Sequence, residues 1–413
     1  MLICAGLTSL LVAACASDKP SDYDIELARF QDDIAALTQG AAPAAGGVTG
    51  ADKAGALVHA LYRRVSLTGS FADFKAAETA IDDVLGQVGP SPDLHALRAQ
   101  LNLAFHRLAK AAEDLRKAGA AAVNVNVRVR TLRADLDLQN GRFQEAEGGY
   151  EEVVRKNRSW DSLARLAHLR SVTGADAAAE ALYVEAENEI SAKEMRAYAW
   201  VKVQRGFLEF TRGRFEEASK HYQRADRAYS GYWFVQEHIA ELLGAERRFD
   251  EAAALYERVI ARAPKPELYQ ALGDLYAFMG KPDRARPWHV KALDAYLDSA
   301  QRGEVHYYHH LAGFYADVRQ DGPEAVKWAQ KDLELRHGPA AHDALAWALY
   351  RDGRPAEAAE EMDRALAPGV KDAHLFFHAA MIHLASGRVE EGRRFLRQAA
   401  EANPRFDTFH VHR

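Results

Sequence analysis

Apolar side chains recur every three or four positions along most of the chain, the period that places them on one face of an α-helix. Tyr23, Leu27, Phe30, Ile34 and Leu37 are spaced four, three, four and three apart and predict a short amphipathic helix, best used to cap the helices after it. Residues 41–50 (AAPAAGGVTG) are small and Gly-rich and read as a tether. From residue 54 the helical pattern is itself repeated, with GRFQEAEGGYEEVV (141–154) and GRFEEASKHYQRA (213–225) sharing one template. A small residue marks the same place at Ala77, Ala111, Ala146, Ala179, Ala218, Ala252, Ala285, Ala325, Ala358 and Gly392, at intervals of 33 to 35 except for two of 39 and 40. Twelve residues before each stands Val65, Ala99, Ala134, Ala167, Gly206, Ala240, Gly273, Gly313, Ala346 or Ala380. Four residues after, the side chain is bulky at Ile81, Leu115, Tyr150, Tyr183, Tyr222, Tyr256, His289, Met362 and Leu396, with Ala329 the exception.

Each regularity has a physical reading. Two helices of about a dozen residues cross closely only where both carry small side chains. Gly at 141, 174, 213, 280, 353 and 387, five residues before the marker, breaks the chain between them. Pro90, Pro264, Pro368 and Pro404, ten to thirteen residues after it, stop the second helix. The bulky residue lies one turn beyond the small one and fills a neighbouring groove. Such a helix–turn–helix unit cannot bury its face alone and must stack. The intervals of 39 and 40 predict longer helices at residues 186–200 and 292–310.

Composition agrees. Of 413 residues 79 are Ala, the best helix former and a poor strand residue. With 48% hydrophobic and 27% charged residues, global disorder is excluded. The 53 Lys+Arg against 59 Asp+Glu leave a net charge of −6, which gives no electrostatic footprint for nucleic acid. Two cysteines, Cys4 and Cys15, exclude a disulfide framework and a thiolate zinc site.

The repeat resembles the tetratricopeptide repeat, most closely in LYQALGDLYAFMGKPDRARPWHVKAL (268–293), HDALAWALYRDGRPAEAAEEMDRAL (342–366) and HAAMIHLASGRVEEGRRFLRQAAEANP (378–404). The resemblance covers residues 54–404. It implies an all-α fold, a right-handed superhelical solenoid of about ten units. Residues 405–413 are then a short tail, expected to be mobile.

Residues 1–14 (MLICAGLTSLLVAA) carry no charged side chain. As a helix they would rise about 21 Å, short of the roughly 30 Å bilayer core, so they read as a signal segment. Val12-Ala13-Ala14-Cys15 followed by Ala16 resembles the lipobox of bacterial lipoproteins, although no Lys or Arg follows Met1 and Val12 stands where Leu is usual. The resemblance implies lipidation at Cys15, a mature chain from that residue, membrane attachment through the lipid, and an outer-membrane lipoprotein facing the periplasm of a Gram-negative envelope. A plain cleaved signal and a buried apolar terminus are the other readings.

Little chain remains for chemistry. There is no G-x-x-x-x-G-K-[ST], G-x-S-x-G or H-E-x-x-H, and no segment of 100 residues escapes the repeat, so the expectation is not an enzyme. No cofactor is implied. In tetratricopeptide arrays the first helix of each unit lines a concave groove, and the resemblance places there Trp200 and Phe207, then Glu237, Glu241 and Asp274. Farther on come Tyr307, His310 and Phe314, then Asp343, Trp347 and Tyr350, then His374, Phe377 and Met381. Aromatics on such a stripe suit a protein or peptide partner, and equally suit packing inside a narrow superhelix. The acidic residues suit a basic or amino-terminal partner, or simply a solvated face. Eleven of the 17 histidines lie between 289 and 412, and His374 and His378, four apart, share a face. With His310 and Asp343 they form the alternative: a divalent-metal or small-ligand site in the C-terminal third.

Overall fold

In the computed structural model, which describes residues 19–39, 50–120 and 126–411, the chain forms 21 α-helices, and the described residues contain no strand. Residues 1–18, Cys15 among them, most of the tether and His412 lie outside the described residues.

Ten helix pairs follow one another: Gly50–Thr68 with Phe71–Val88, Pro92–Ala104 with Leu108–Ala120, Val127–Gln139 with Phe143–Lys156, Trp160–Val172 with Asp176–Glu189, and Met195–Phe210 with Phe215–Ala228. Then come Trp233–Ala245 with Phe249–Arg262, Pro266–Phe278 with Pro282–Gln301, Tyr308–Gly313 with Gly322–Leu333, Pro339–Arg351 with Pro355–Leu366, and Ala373–Ala385 with Val389–Ala402. In chain order they are units 1 to 10. The first helix, Asp22–Thr38, precedes them and buries Tyr23 and Phe30 in a cluster with residues of units 5 and 6, among them Val203, Tyr222 and Val235.

The small residues lie at the crossings. All ten markers from Ala77 to Gly392 are buried, as are nine of the ten partners twelve residues earlier. In units 5 and 7 a ring lies directly on a glycine: a Cβ at Gly206 would stand 2.2 Å from Tyr222, and one at Gly273 2.2 Å from His289. The six glycines between paired helices have φ between +70° and +82°, the left-handed break that glycine adopts without a side-chain clash.

Three expectations need correction. A Cβ at Gly313 would meet nothing within 4 Å; the backbone from Phe314 to Arg319 is wound as a π-helix, and Ala312 and Ala316 are the small residues buried there. Leu396 is exposed, and Phe395 and Ala399 are buried on that helix instead. The wide intervals are not simple helix extensions. Residues 190–194 break the first of them, and Pro282–Gln301, the longest helix at 20 residues, ends before the break at 302–307.

Units six apart meet again, so the superhelix closes one turn on the next. The first helix sits on unit 6, where Tyr23 donates its amide to the Ser230 carbonyl at 3.2 Å and Tyr229 donates its hydroxyl to Glu26. Lys265, at the start of unit 7, donates to Gly69 of unit 1 at 3.0 Å. His306, leading into unit 8, stacks on His106 of unit 2 with ring centroids 5.6 Å apart. Gly338, leading into unit 9, comes so close to unit 3 that a Cβ would lie 2.3 Å from the Gln139 carbonyl oxygen. Lys371, before unit 10, donates its amide to Val172 of unit 4 at 3.0 Å.

Candidate functional site

The stripe on the first helices is continuous, and the tight winding changes what its members do. In unit 5, Trp200 is half-buried with its ring 6.3 Å from Trp160, and Phe207 is half-buried with its ring 6.0 Å from His238. In unit 6, Glu237 and Glu241 are not a solvated acidic face but are 5% and 1% exposed. Burial, followed by the negative charge of Glu241, Glu237 and Asp274, pushes the Tyr256 hydroxyl pKa well above its ordinary value.

Asp274 is itself paired with His289 at 2.8 Å. Tyr296 donates to Gln270 at 3.0 Å and stacks on His310, ring centroids 5.5 Å apart. Phe314 is 1% exposed and stands edge-on to His289 and Tyr296, and Tyr307 is 9% exposed with its ring 5.0 Å from Tyr296. Both are therefore core residues of the inner wall rather than anchors open to a partner. Burial, followed by the nearby Glu267, raises the Tyr307 pKa far above the usual phenol value.

Units 9 and 10, like unit 5 and unlike Glu237, Glu241, Tyr307 and Phe314, keep an accessible edge on the stripe. Trp347 donates its indole N–H to Asp317 at 3.0 Å and stacks on His378, centroids 4.0 Å apart and planes 12° from parallel. His378 Nδ1 lies 3.0 Å from Asp343, and the His374 ring packs edge-on to His378 at 4.1 Å. Tyr350 adds a further ring 5.0 Å from Trp347. Asp343, Trp347, Tyr350, His374, Phe377 and Met381 are all half-buried.

The four residues expected to converge on a metal do not. Asp343, His374 and His378 come together, but His310 is stacked on Tyr296 in another unit and Asp343 is spent on the His378 ring. Among the described residues no group of three or more His, Cys, Asp or Glu side chains has an arrangement that could hold a metal ion.

The tail is also not loose. Phe409 is 1% exposed, and Glu241 receives the Val411 amide at 2.7 Å and lies 2.6 Å from His410 Nδ1. Sequence reasoning missed this contact, because three residues in a short tail carry no periodicity. The available signal was the apolar content of the tail itself, Phe406, Phe409 and Val411 among polar residues.

Residues 336–405 match the family model of the tetratricopeptide repeat. No curated protein matches the chain. Among solved structures, human IFIT1 as a dimer with PPP-AAAA is 12% identical, with 92% of this chain and 93% of that one covered and a TM-score of 0.47. Yeast Tom70 is 13% identical, covering 92% of each chain with a TM-score of 0.40. A tetratricopeptide repeat protein from Parabacteroides merdae is 15% identical over 71% of this chain and 99% of that one, with a TM-score of 0.35. Ten stacked helix pairs define the class, an all-α helical solenoid, and its last two units match the tetratricopeptide repeat.

Proposed function

We propose that the chain is a non-catalytic scaffold, held to the periplasmic face of an outer membrane by a lipid on Cys15, that binds a segment of an envelope protein on the inner face of units 9 and 10. The observation that supports the binding reading is the half-buried cluster of Trp347, Tyr350, His374, Phe377 and Met381 on two adjacent first helices. The Trp347 ring is already ordered by Asp317 and by stacking on His378, which Asp343 holds, so this side chain loses little rotamer freedom when a partner lands on it. Among the described residues no helix is long and apolar enough to cross a membrane, so attachment in this reading rests on the lipid alone.

A photo-crosslinking amino acid in place of Tyr350, activated in intact cells, tests the groove. One dominant envelope-protein adduct is expected, and it should vanish in a Trp347→Ala/Met381→Ala background. A diffuse set of adducts, unchanged by those substitutions, would rule the groove out. Fatty-acid labelling tests the anchor, since Cys15→Ser must lose the label.

A further inference from the structure

Residues 409–411 are held by side chains of units 5 to 7. Phe409 lies against Gly244, where a Cβ would stand 2.4 Å from its ring, and its ring centroid is 5.8 Å from that of Phe278. His410 packs 5.3 Å from Phe210 and sets Nδ1 against Glu241 Oε1, and the same oxygen accepts the Val411 amide. The floor of this seat comes from the first helices of units 5, 6 and 7, on the stripe that faces inward. The order of features is specific: an aromatic ring on a glycine, then a ring nitrogen or cation at a buried carboxylate, then a main-chain N–H on that carboxylate.

We infer that this seat recognises a segment of aromatic–histidine/basic–aliphatic order in a partner protein, and that residues 409–411 are an intramolecular ligand which such a segment displaces. The occupant in the structure supports the chemistry, because an acidic side chain at the position of His410 would set like charge against the buried Glu241 carboxylate, whereas a ring N–H or a cation can donate to it. A tethered tail competes at an effective concentration near millimolar, so a partner sees the seat only in the fraction of molecules whose tail is released. The inference rests on the inner surface being a binding surface, but it concerns units 5–7 and is tested apart from the cluster at Trp347.

The test uses the full chain and a fluorescein-labelled peptide of residues 404–413, followed by fluorescence polarisation. The Phe409→Ala/His410→Ala chain is expected to bind the peptide about tenfold or more tightly than the unaltered chain. Adding Glu241→Gln should return binding to the weak level. An opened chain that keeps its helical circular dichroism yet binds no more tightly overturns the inference. Hydrogen exchange on the unaltered chain provides a second measurement that needs no variant: excess peptide should accelerate exchange across residues 405–411, and unchanged protection at millimolar peptide also overturns it. A concentration-dependent dimer of the unaltered chain, lost on opening the tail, would assign the seat to a second copy and overturn the partner reading. Failure here leaves the Tyr350 crosslink unaffected, so the two readings fail separately.

Discussion

Trp233 donates its indole N–H to the main-chain oxygen of Leu67 at 3.1 Å, across 166 residues of sequence. Lys265 lies 4.5 Å from the centre of the same indole and also bonds Gly69. A solenoid whose units touched only their neighbours would have no such bond, and its stability would be a sum over adjacent pairs.

Trp233→Phe, which keeps a ring and removes the N–H, should lower unfolding stability by about 1 kcal/mol in urea. Trp233→Ala should lower it by roughly 3–5 kcal/mol. Hydrogen exchange localises the effect. Residues 61–69 of unit 1 should lose protection although the substitution is in unit 6, and a loss confined to residues 228–262 would show that the turns are not coupled.

The extent to which this fold is legible in the sequence depends on range. Ala146 and Tyr150, or Ala218 and Tyr222, announce themselves because a unit of about 34 residues imposes the same crossing ten times. Contacts between turns occur once each, between residues such as Trp233 and Leu67, and a contact made once leaves no period. The same holds for Glu241, legible as a stripe residue but not as the holder of a tail 170 residues later. Spacing puts Phe314 on the correct stripe. Its packing against His289 and Tyr296 of the preceding pair, which spacing does not encode, turns it from an anchor into core.

The contact of His306 with His106 makes the array sensitive to acid. Burial, then Arg336, lowers the His106 pKa from 6.5 to about 4, and burial pushes His306 and His309 well below their ordinary value. His310, Lys265 and Arg336 add positive charge nearby, and Asp332 lies 3.8 Å from His309. The folded pKa is the lower one, so the unfolded chain binds more protons and stability falls as pH drops through 6.5 towards 4. His106 alone should remove about 2 kcal/mol between neutrality and roughly pH 5. Denaturation at both pH values checks this, and His106→Asn should flatten the difference.

Gly206 and Gly313 stand at equivalent places in their units and should respond oppositely to alanine. At Gly206 the new methyl group meets the Tyr222 ring at 2.2 Å, and overpacking of about 1–3 kcal/mol outweighs the roughly 1 kcal/mol gained in helix propensity. At Gly313 the backbone is helical, with φ −63° and ψ −41°, and no atom lies within 4 Å of the new group. Gly313→Ala should therefore stabilise by up to about 1 kcal/mol. Thermal melts of the two variants beside the parent decide it, and two shifts of the same sign would contradict the crossing geometry.

Lys202 is 2% exposed and bonds Glu187 at 2.6 Å, while Arg205 bonds the same carboxylate at 2.7 Å. Burial lowers the Lys202 pKa, and Glu187 is the largest influence opposing that shift. Removing the carboxylate and removing the amine are then unequal changes. Glu187→Ala strands a buried ammonium and should destabilise by roughly 3–5 kcal/mol. Lys202→Met keeps the aliphatic stem, removes the group that is costly to desolvate, and leaves Glu187 its bond to Arg205. Its effect should lie within about 1 kcal/mol of zero. The double variant should be less damaged than Glu187→Ala alone, because the stranded charge is gone. A double-mutant cycle measured in urea reads the coupling directly, and additive losses would show that the pair is effectively solvated between units 4 and 5.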